Sequence, residues 1–259
     1  MLQTKAKIID NKKVKGHYFH CLLLAPSIAK KAQPGEFVNI KITDNYQPLL
    51  RRPLSIHRVD AKTIEFLYEA VGRGTEILSR KKQGEYLDII GPLGNGFSMP
   101  KSGHSILVAG GMGVAPLLFL AERLTTRKSI ALIGARTKSE ILCEKEFQDL
   151  GYSVKIATDD GSKGFKGRIT ELLRNVLQVQ GPRQQKMVYA CGPRPMLKEI
   201  SRMSKKHKFS AEISLEEHMA CGIGACLGCV VETTNGLQRV CKEGPVFTAG
   251  EIIWREEGQ

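Results

Sequence analysis

The sequence has little that would place the protein in a membrane or outside the cell. Its first ten residues carry no apolar core of the kind a signal peptide needs, and no uninterrupted apolar run approaches about 18 residues. Internal repeats and low-complexity tracts are also missing. We therefore expect a cytoplasmic protein without a membrane span, whose seven cysteines are thiols or ligands rather than disulfides.

The basic residues lack the pattern of a nucleic-acid-binding surface. The chain has 39 Lys and Arg against 26 Asp and Glu, a formal net charge of +13, but the cations are dispersed. The densest cluster, at 205–208, has no aromatic side chains interleaved for base stacking. We predict a solvated face there and no nucleic-acid partner, and a docking surface for an acidic protein is the alternative.

The constellations of hydrolytic catalysis are missing as well. The sequence offers no Ser/His/Asp arrangement, no paired carboxylates and no HExxH zinc helix. We therefore predict no catalytic side chains in this chain and expect bound cofactors to supply the chemistry.

What is present divides the 259 residues into three segments. In 1–100, short apolar runs alternate with turn residues, which predicts an antiparallel β-barrel. In 101–210, strand-like and helix-like segments alternate, which predicts an open parallel α/β sheet. The remaining segment, 211–259, carries a glycine-rich cysteine motif and is predicted to be a small module of its own. The predicted fold class is thus multi-domain, β plus α/β.

The most specific motif is CGIGACLGC at 221–229, which a last cysteine follows after eleven residues. This spacing is that of plant-type [2Fe–2S] sites, in which a tight loop surrounds the cluster and a distant segment closes it. The predicted ligands are Cys221, Cys226, Cys229 and Cys241. A structural zinc site is the main alternative, although zinc sites more usually contain two close ligand pairs separated by a longer finger.

Two segments of the first domain predict a flavin. One is Arg52–Pro53–Leu54–Ser55, where a guanidinium can clamp a pyrophosphate and a hydroxyl can face a flavin ring. The other is LYEAVGRGT at 67–75, where Gly72, Gly74 and Thr75 open a predicted helix whose N-terminal amides can meet a diphosphate. Taken alone, the first segment could equally be a surface Arg pair that caps a strand.

Two further segments predict a nucleotide site. AGGMGVAP places Gly110, Gly111 and Gly113 between a strand and a helix, the right order for a phosphate site without the spacing of GxGxxG. YACGPRPML ends a parallel strand with Cys191, Gly192 and Pro193, at the edge where α/β proteins bind ligands. Tight packing at the glycines and an inert buried thiol at Cys191 are the alternatives.

In this order, the RPLS, GRGT, GGMGVAP and CGPRPM segments resemble the ferredoxin–NADP reductase superfamily over the whole chain. SLEEHMACGIGACLGCVV and the later VCKEGPVF resemble one branch of it, the electron-transfer subunits of dihydroorotate dehydrogenase B. The resemblance implies that the four cysteines hold a [2Fe–2S] cluster. It also implies an FAD site made by Arg52, Pro53, Leu54, Ser55, Leu67, Tyr68, Glu69, Gly74 and Thr75.

The resemblance further implies a function and a partner. Electrons would pass between NAD and a separate FMN-containing dihydroorotate dehydrogenase subunit, in a heterotetramer with two copies of each, for pyrimidine synthesis. FAD would connect the two-electron chemistry of the nicotinamide to the one-electron chemistry of the cluster. Two positions depart from the superfamily pattern: Leu54 stands where many members have an aromatic residue, and Glu69 is an anion beside a diphosphate, so Arg73 is expected to supply the positive charge.

Two other functions remain open at this stage. The small subunit of an NADH-dependent ferredoxin–NADP oxidoreductase, or of a similar sulfide dehydrogenase, has the same layout, but its cluster motif departs from four plain cysteines. A zinc-stabilised binding module with a vestigial nucleotide fold is the third reading. The choice between NAD and NADP is open as well, because the cations in Arg136–Thr137–Lys138 could meet a 2′-phosphate and Asp159 and Asp160 could meet a ribose hydroxyl.

Overall fold

The computed structural model describes residues 1–99, 104–124, 129–179 and 186–255. The first part contains strands β1 (Leu2–Lys15), β2 (Tyr18–Leu24), β3 (Phe37–Lys41), β4 (Arg52–Ser55), β5 (Arg58–Val59), β6 (Thr63–Glu69) and β7 (Tyr86–Leu93), with helices α1 (Pro26–Ala29) and α2 (Arg73–Arg80). The predicted boundary between residues 100 and 101 lies outside the described residues.

The second part alternates strands and helices, as the sequence predicts. It contains β8 (His104–Gly110), α3 (Val114–Arg123), β9 (Ile130–Ala135), α4 (Glu144–Asp149), β10 (Ser153–Thr158), β11 (Phe165–Lys166), α5 (Ile169–Val179), β12 (Lys186–Cys191) and α6 (Arg194–His207). It continues with β13 (Ser210–Ser214), β14 (Val230–Thr233), β15 (Gly236–Arg239) and β16 (Val246–Thr248).

Strands β1–β7 form one antiparallel sheet in the order β4-β3-β7-β1-β2-β6-β5. The sheet curls into a half-barrel in which β4 approaches β6, and this confirms the predicted antiparallel first domain. Residues at alternating positions of each strand point to the same face. In β7, Leu87 and Ile89 are therefore buried in the half-barrel core, while Tyr86 is exposed.

The second sheet has the order β11-β10-β9-β8-β12-β13-β16, and all its pairings are parallel except that of β13 with β16. After β8 the chain adds β9, β10 and β11 on one side of it and then crosses to add β12 on the other side. The direction in which strands are added therefore reverses between β8 and β12. A crevice opens at such a reversal, outside the carboxyl ends of the strands, and ligands bind there in open α/β sheets.

The cysteine module does not stand apart from the second sheet. The predicted boundary between residues 210 and 211 falls inside β13, which pairs with β12, and β16 pairs with β13 from the other side. The loop that carries the first three motif cysteines and the β14–β15 hairpin therefore form an insertion between two neighbouring strands of one sheet.

Helix α3 joins the two sheets. Its residues from Val114 to Ala121 are buried, most of them against the parallel sheet, but Phe119 is fully buried in the core of the half-barrel. From the half-barrel side, His57 Nδ1 lies 2.9 Å from the Ala115 carbonyl oxygen, and Arg58 forms an ion pair of 2.6 Å with Glu122. No helix among the described residues is long and apolar enough to cross a membrane.

We predict that Phe119→Ala weakens the whole protein rather than one sheet alone. The substitution leaves a cavity at the junction of the two cores, and such truncations of a buried Phe lower the free energy of unfolding by about 3–5 kcal/mol. Urea denaturation with saturating FAD measures the change. Leu237→Ala is the control, since Leu237 is 73% exposed and should change the free energy by less than about 0.5 kcal/mol. Equal effects of the two substitutions would contradict this packing.

Candidate cofactor-binding sites

The guanidinium of Arg52 lies over the start of α2. A Cβ atom added to Gly74 would be 2.5 Å from Arg52 Nε, so only glycine allows this approach. Helix α2 begins after Gly72, and the backbone N–H groups of Val71 and Gly72 donate to Thr75 Oγ1 at 3.0 and 3.3 Å. A fixed cation above a helix N-terminus is a suitable arrangement for a diphosphate.

The other residues of the predicted FAD set lie around this point but do not all face it. Residues 52–55 form β4 and are half-buried. Leu67 and Tyr68 are adjacent in β6 and point to opposite faces, into two different cores, and the Tyr68 hydroxyl donates to Asn11 at 2.9 Å. Glu69 reaches the cleft described next.

Arg73 does not take the position that the sequence suggested for it. Its side chain is exposed and donates to Gln47 Oε1 at 2.8 Å, so it contacts the loop before β4. Arg52 is thus the cation that contacts the glycine turn at Gly74.

A cleft of about 1160 Å³ opens at the carboxyl ends of β8, β9 and β12. The predicted glycines form one wall. Close packing requires two of them: a Cβ at Gly113 would be 1.9 Å from the Cys191 carbonyl oxygen, and one at Gly110 would be 2.7 Å from Pro193. Gly111 has open space around it, but its φ of +54° favours glycine. Gly192 in turn lies against Gly110. The strand ends meet so closely that the backbone itself lines the cleft at the reversal point.

The thiol of Cys191 belongs to the packing of this wall. Its side chain is 1% exposed, and burial raises its pKa well above the ordinary value for a thiol. Cys191 is therefore a protonated, weakly nucleophilic thiol at neutral pH. Any role of Cys191 at the nucleotide site is to shape the wall of the cleft by packing, without thiolate chemistry.

Two of the residues that line the cleft, Glu216 and Trp254, were not found by sequence reasoning. Glu216 follows β13 and reaches the cleft beside β12, where partial removal from water raises the pKa of its carboxyl group. Trp254 lines the cleft from the C-terminal segment, with the guanidinium of Arg194 5.5 Å from its ring. The signal for Glu216 was its place just after a strand of the parallel sheet, whereas Trp254 follows no strand or motif.

Three arginines that line the cleft are held by carboxylates. Arg136 follows β9, and its guanidinium donates to both oxygens of Glu140, at 2.8 and 3.1 Å. Glu199 likewise pairs with Arg174 and Arg202, at 3.3 and 2.8 Å. Each pair reduces the positive charge that the cleft offers to an added phosphate.

The four motif cysteines form two pairs. The thiols of Cys221 and Cys226 are neighbours in the exposed loop, and those of Cys229 and Cys241 are neighbours in the core below it. Among the described residues, no three His, Cys, Asp or Glu side chains converge as one metal ion requires. Two thiol pairs fit a cluster of two irons, each with two cysteine ligands, better than a single tetrahedral zinc.

Backbone donors surround the cysteine sulfurs. The N–H groups of Ile223, Gly228 and Cys241 each point at a cysteine Sγ at 3.4 Å, on Cys221, Cys226 and Cys229 respectively. Burial raises the pKa of the Cys221 thiol, but N–H donors, that of Ile223 first, lower it more, to about 6. Such donors stabilise thiolates and the sulfurs of a cluster.

The loop is closed by an Arg–Glu pair. Arg239 forms a double contact with Glu243 and donates from Nη1 to the Gly224 carbonyl oxygen at 2.7 Å. Cys241 lies in the turn between these two residues. Its position therefore depends on the same contacts that fix the loop of the other three cysteines.

Comparison with known proteins agrees with this arrangement. Residues 216–253 match the iron–sulfur cluster binding domain of dihydroorotate dehydrogenase B, and residues 107–202 match the oxidoreductase NAD-binding domain. The electron transfer subunit of dihydroorotate dehydrogenase B (NAD(+)) from Desulforamulus reducens is 43% identical over 96% of this chain and 97% of its own length. That of a Geobacillus species is 38% identical over 98% and 99%.

Solved structures show the same fold. The structure of an NADH-dependent reduced ferredoxin–NADP oxidoreductase superposes with a TM-score of 0.86 at 28% identity and covers 96% of this chain and 90% of its own. A ferredoxin–NADP+ reductase from Neisseria gonorrhoeae, with bound FAD and NADP, has a TM-score of 0.66 at 17% identity over 79% of this chain and 91% of its own. The second shows the fold alone.

The contact between Arg52 and Gly74 generates a prediction. In Gly74→Ala the new methyl group would displace the guanidinium, and the loss of one charge-assisted hydrogen bond should weaken FAD binding by about tenfold or more. Titration of the apoprotein with FAD, followed by flavin fluorescence, measures this.

Gly72→Ala is the matched control, because nothing lies within 4 Å of a Cβ at that position and the backbone there is extended. It should leave the affinity for FAD nearly unchanged. Unchanged affinity in Gly74→Ala as well would show that Arg52 does not hold the diphosphate.

Proposed function

Because the chain belongs to the family of the dihydroorotate dehydrogenase B electron-transfer subunits, we propose that it carries electrons between NAD(H) and an FMN-containing catalytic subunit that oxidises dihydroorotate. The cofactors of this chain are FAD, a [2Fe–2S] cluster and NAD. The observation that carries the proposal is the grouping of the four cysteines into two thiol pairs beside the flavin-binding half-barrel.

The chain's own residues bind and position these groups. Bound FAD supplies the chemistry that links hydride exchange with nicotinamide to single-electron exchange with a cluster. Arg52 and the start of α2 hold its diphosphate in this proposal, and Pro53 and Ser55 line the place of its ring. Gly110, Gly111 and Gly113 let the dinucleotide approach the strand ends, opposite Gly192 and Pro193.

We expect the partner to bind at the cluster loop, the segment 221–229 that carries the first three motif cysteines. Cys226 is exposed at its tip, with Ile223 and Leu227 beside it at 42% and 61% exposure. Exposed apolar side chains next to an electron-transfer site are suited to a protein partner. We propose an FMN-containing dihydroorotate dehydrogenase subunit there, with two copies of each chain, in the cytoplasm.

The purified chain tests this proposal directly. It should contain about two irons and one FAD and should oxidise NADH with ferricyanide as acceptor. It should not turn over dihydroorotate unless the catalytic subunit is added, and the two should co-purify. A colourless protein that contains zinc, or one that oxidises dihydroorotate alone, would contradict the proposal.

A second function is favoured by one observation. The structure of an NADH-dependent reduced ferredoxin–NADP oxidoreductase superposes on this chain with a TM-score of 0.86 at 28% identity. If this chain served such an enzyme, it should reduce ferredoxin in the presence of its own large subunit and should not stimulate dihydroorotate oxidation by the catalytic subunit.

We further propose that the chain prefers NAD to NADP because the carboxylate of Glu140 binds the guanidinium of Arg136. The end of the second strand in such sheets faces the adenosine ribose, and β9 holds that position. With Arg136 bound to Glu140, a 2′-phosphate would meet a carboxylate rather than a free cation. Glu140→Gln should therefore raise kcat/KM for NADPH relative to NADH by roughly fivefold, which steady-state kinetics with ferricyanide would measure.

Glu144→Gln is the control for the loss of one negative charge in this domain. Glu144 pairs with Lys163 at 2.5 Å and does not line the cleft. The Glu144→Gln variant should keep the wild-type ratio of kcat/KM for NADPH to that for NADH. If Glu140→Gln behaves like this control, the pair has no part in the choice of nucleotide.

A further inference from the structure

Asn39 is a buried amide at the contact between the half-barrel and the cluster loop. It lies in the middle of β3, and its side chain has no exposure to solvent. Its Nδ2 donates to the backbone carbonyl oxygen of Cys221 at 3.0 Å, across a sequence separation of 182 residues. The residue that opens the predicted cluster loop is therefore bound to a strand of the other domain.

The register of β3 places this amide beside β4, the strand that we assign to FAD binding. Asn39 is directly opposite Pro53 of β4, and opposite residues of an antiparallel pair present their side chains on the same face. Val38 and Ile40 point to the other face, into the half-barrel core. Asn39 thus lies between the strand that we assign to FAD and the loop that we assign to the cluster.

The contact is tight from the side of the loop as well. Gly222 has φ of +69°, and a Cβ atom there would be 2.4 Å from Asn39 Nδ2. Only glycine allows both this backbone conformation and this approach. On the other side, Arg51 Nη1 donates to the Asn39 carbonyl oxygen at 3.3 Å and to that of Asp88 at 2.9 Å, which fixes the backbone of β3.

Only one half of the Asn39 amide is satisfied. Its Oδ1 is buried and has no hydrogen-bond partner within the described part of the chain. A buried acceptor without a donor is unfavourable, and such groups are rare in folded proteins. The polar contact that offsets this cost is the hydrogen bond from Asn39 Nδ2 to the loop.

We propose that Asn39 is a positioning residue that fastens the Cys221 end of the cluster loop to the flavin-binding sheet and so fixes the separation of FAD and cluster. The inference rests on the proposed function, since it concerns the same two groups. Hydrogen-bonded residues behind metal ligands typically change metal affinity or activity by 10- to 100-fold when they are replaced.

Asn39→Leu is the test, because leucine keeps the size of the side chain and removes the donor. We expect FAD content and NADH–ferricyanide activity to stay at wild-type levels. Loss of iron to a chelator, followed by the visible absorbance, should be about tenfold faster. In stopped-flow experiments with NADH, flavin reduction should keep its rate while the following reduction of the cluster slows.

Asn11→Leu is the matched control. Asn11 Nδ2 also donates to backbone carbonyl oxygens across the half-barrel, those of Leu78 and Lys81 at 2.8 and 2.9 Å, far from the cluster loop. This variant should lose stability without changing iron loss or cluster reduction per bound flavin. If Asn39→Leu matches the wild type, or if both variants change in the same way, the inference is wrong.

A second pair of variants approaches the same contact from the loop. Gly222→Ala adds both backbone strain and a methyl group against Asn39, whereas Gly236→Ala adds strain at φ of +90° with nothing within 4 Å. Only the first should accelerate iron loss. A wild-type chain without iron would overturn the proposed function together with this inference, while an iron-loaded wild type with unaltered variants would overturn the inference alone.

Discussion

Strand β3 is buried on both faces, and the relative placement of the three sites depends on this. Val38 and Ile40 fill the half-barrel core, while Phe37 and Asn39 face the cysteine module. Antiparallel sheets commonly leave one face to water, but here the second face is covered by the core that contains Cys229 and Cys241. The half-barrel and the cluster module therefore share one apolar interior, and neither can move without exposing it.

Helix α3 applies the same constraint to the nucleotide site. The glycine turn of 111–113 leads directly into this helix, and the helix is packed against the parallel sheet and, through Phe119, against the half-barrel. The glycine turn, which we propose receives the dinucleotide, is thus attached to the same core against which Leu54 of β4 packs. With β3 on one side and α3 on the other, the cysteine module and the glycine turn are both held against the half-barrel.

Local sequence patterns predicted those helices, strands and turns that are determined by residues close together in the sequence. The parallel sheet and its helices, the glycine turns and the cysteine loop all follow from periodicity, turn residues and spacing. β1 gave no such signal, because six of its fourteen residues are Asp or Lys and one face of the strand is exposed. The junctions were not predictable, since the pairing of β16 with β13 and the contact of Asn39 with Cys221 join residues far apart in sequence.

The contacts of the arginine side chains could not be predicted from the sequence either. Arg73 and Arg136 were candidates for contact with phosphate because they stand beside predicted phosphate sites. The structure brings Gln47 to Arg73 and Glu140 to Arg136, and places Arg52 over the helix start. A guanidinium binds whichever acceptor the fold presents at the right angle, so the tertiary structure decides the role of each arginine.

The two thiol pairs differ in a way that suits a site of electron exchange. Cys229 and Cys241 are anchored in the shared core, whereas Cys221 and Cys226 belong to a loop that contacts β3 of the half-barrel at one end and solvent at its tip. A buried pair gives a bound cluster a fixed position. The outer pair is then the side on which we propose that such a cluster faces both the half-barrel and a protein partner. A fixed position and access from solvent would thus come from different cysteines of the same motif.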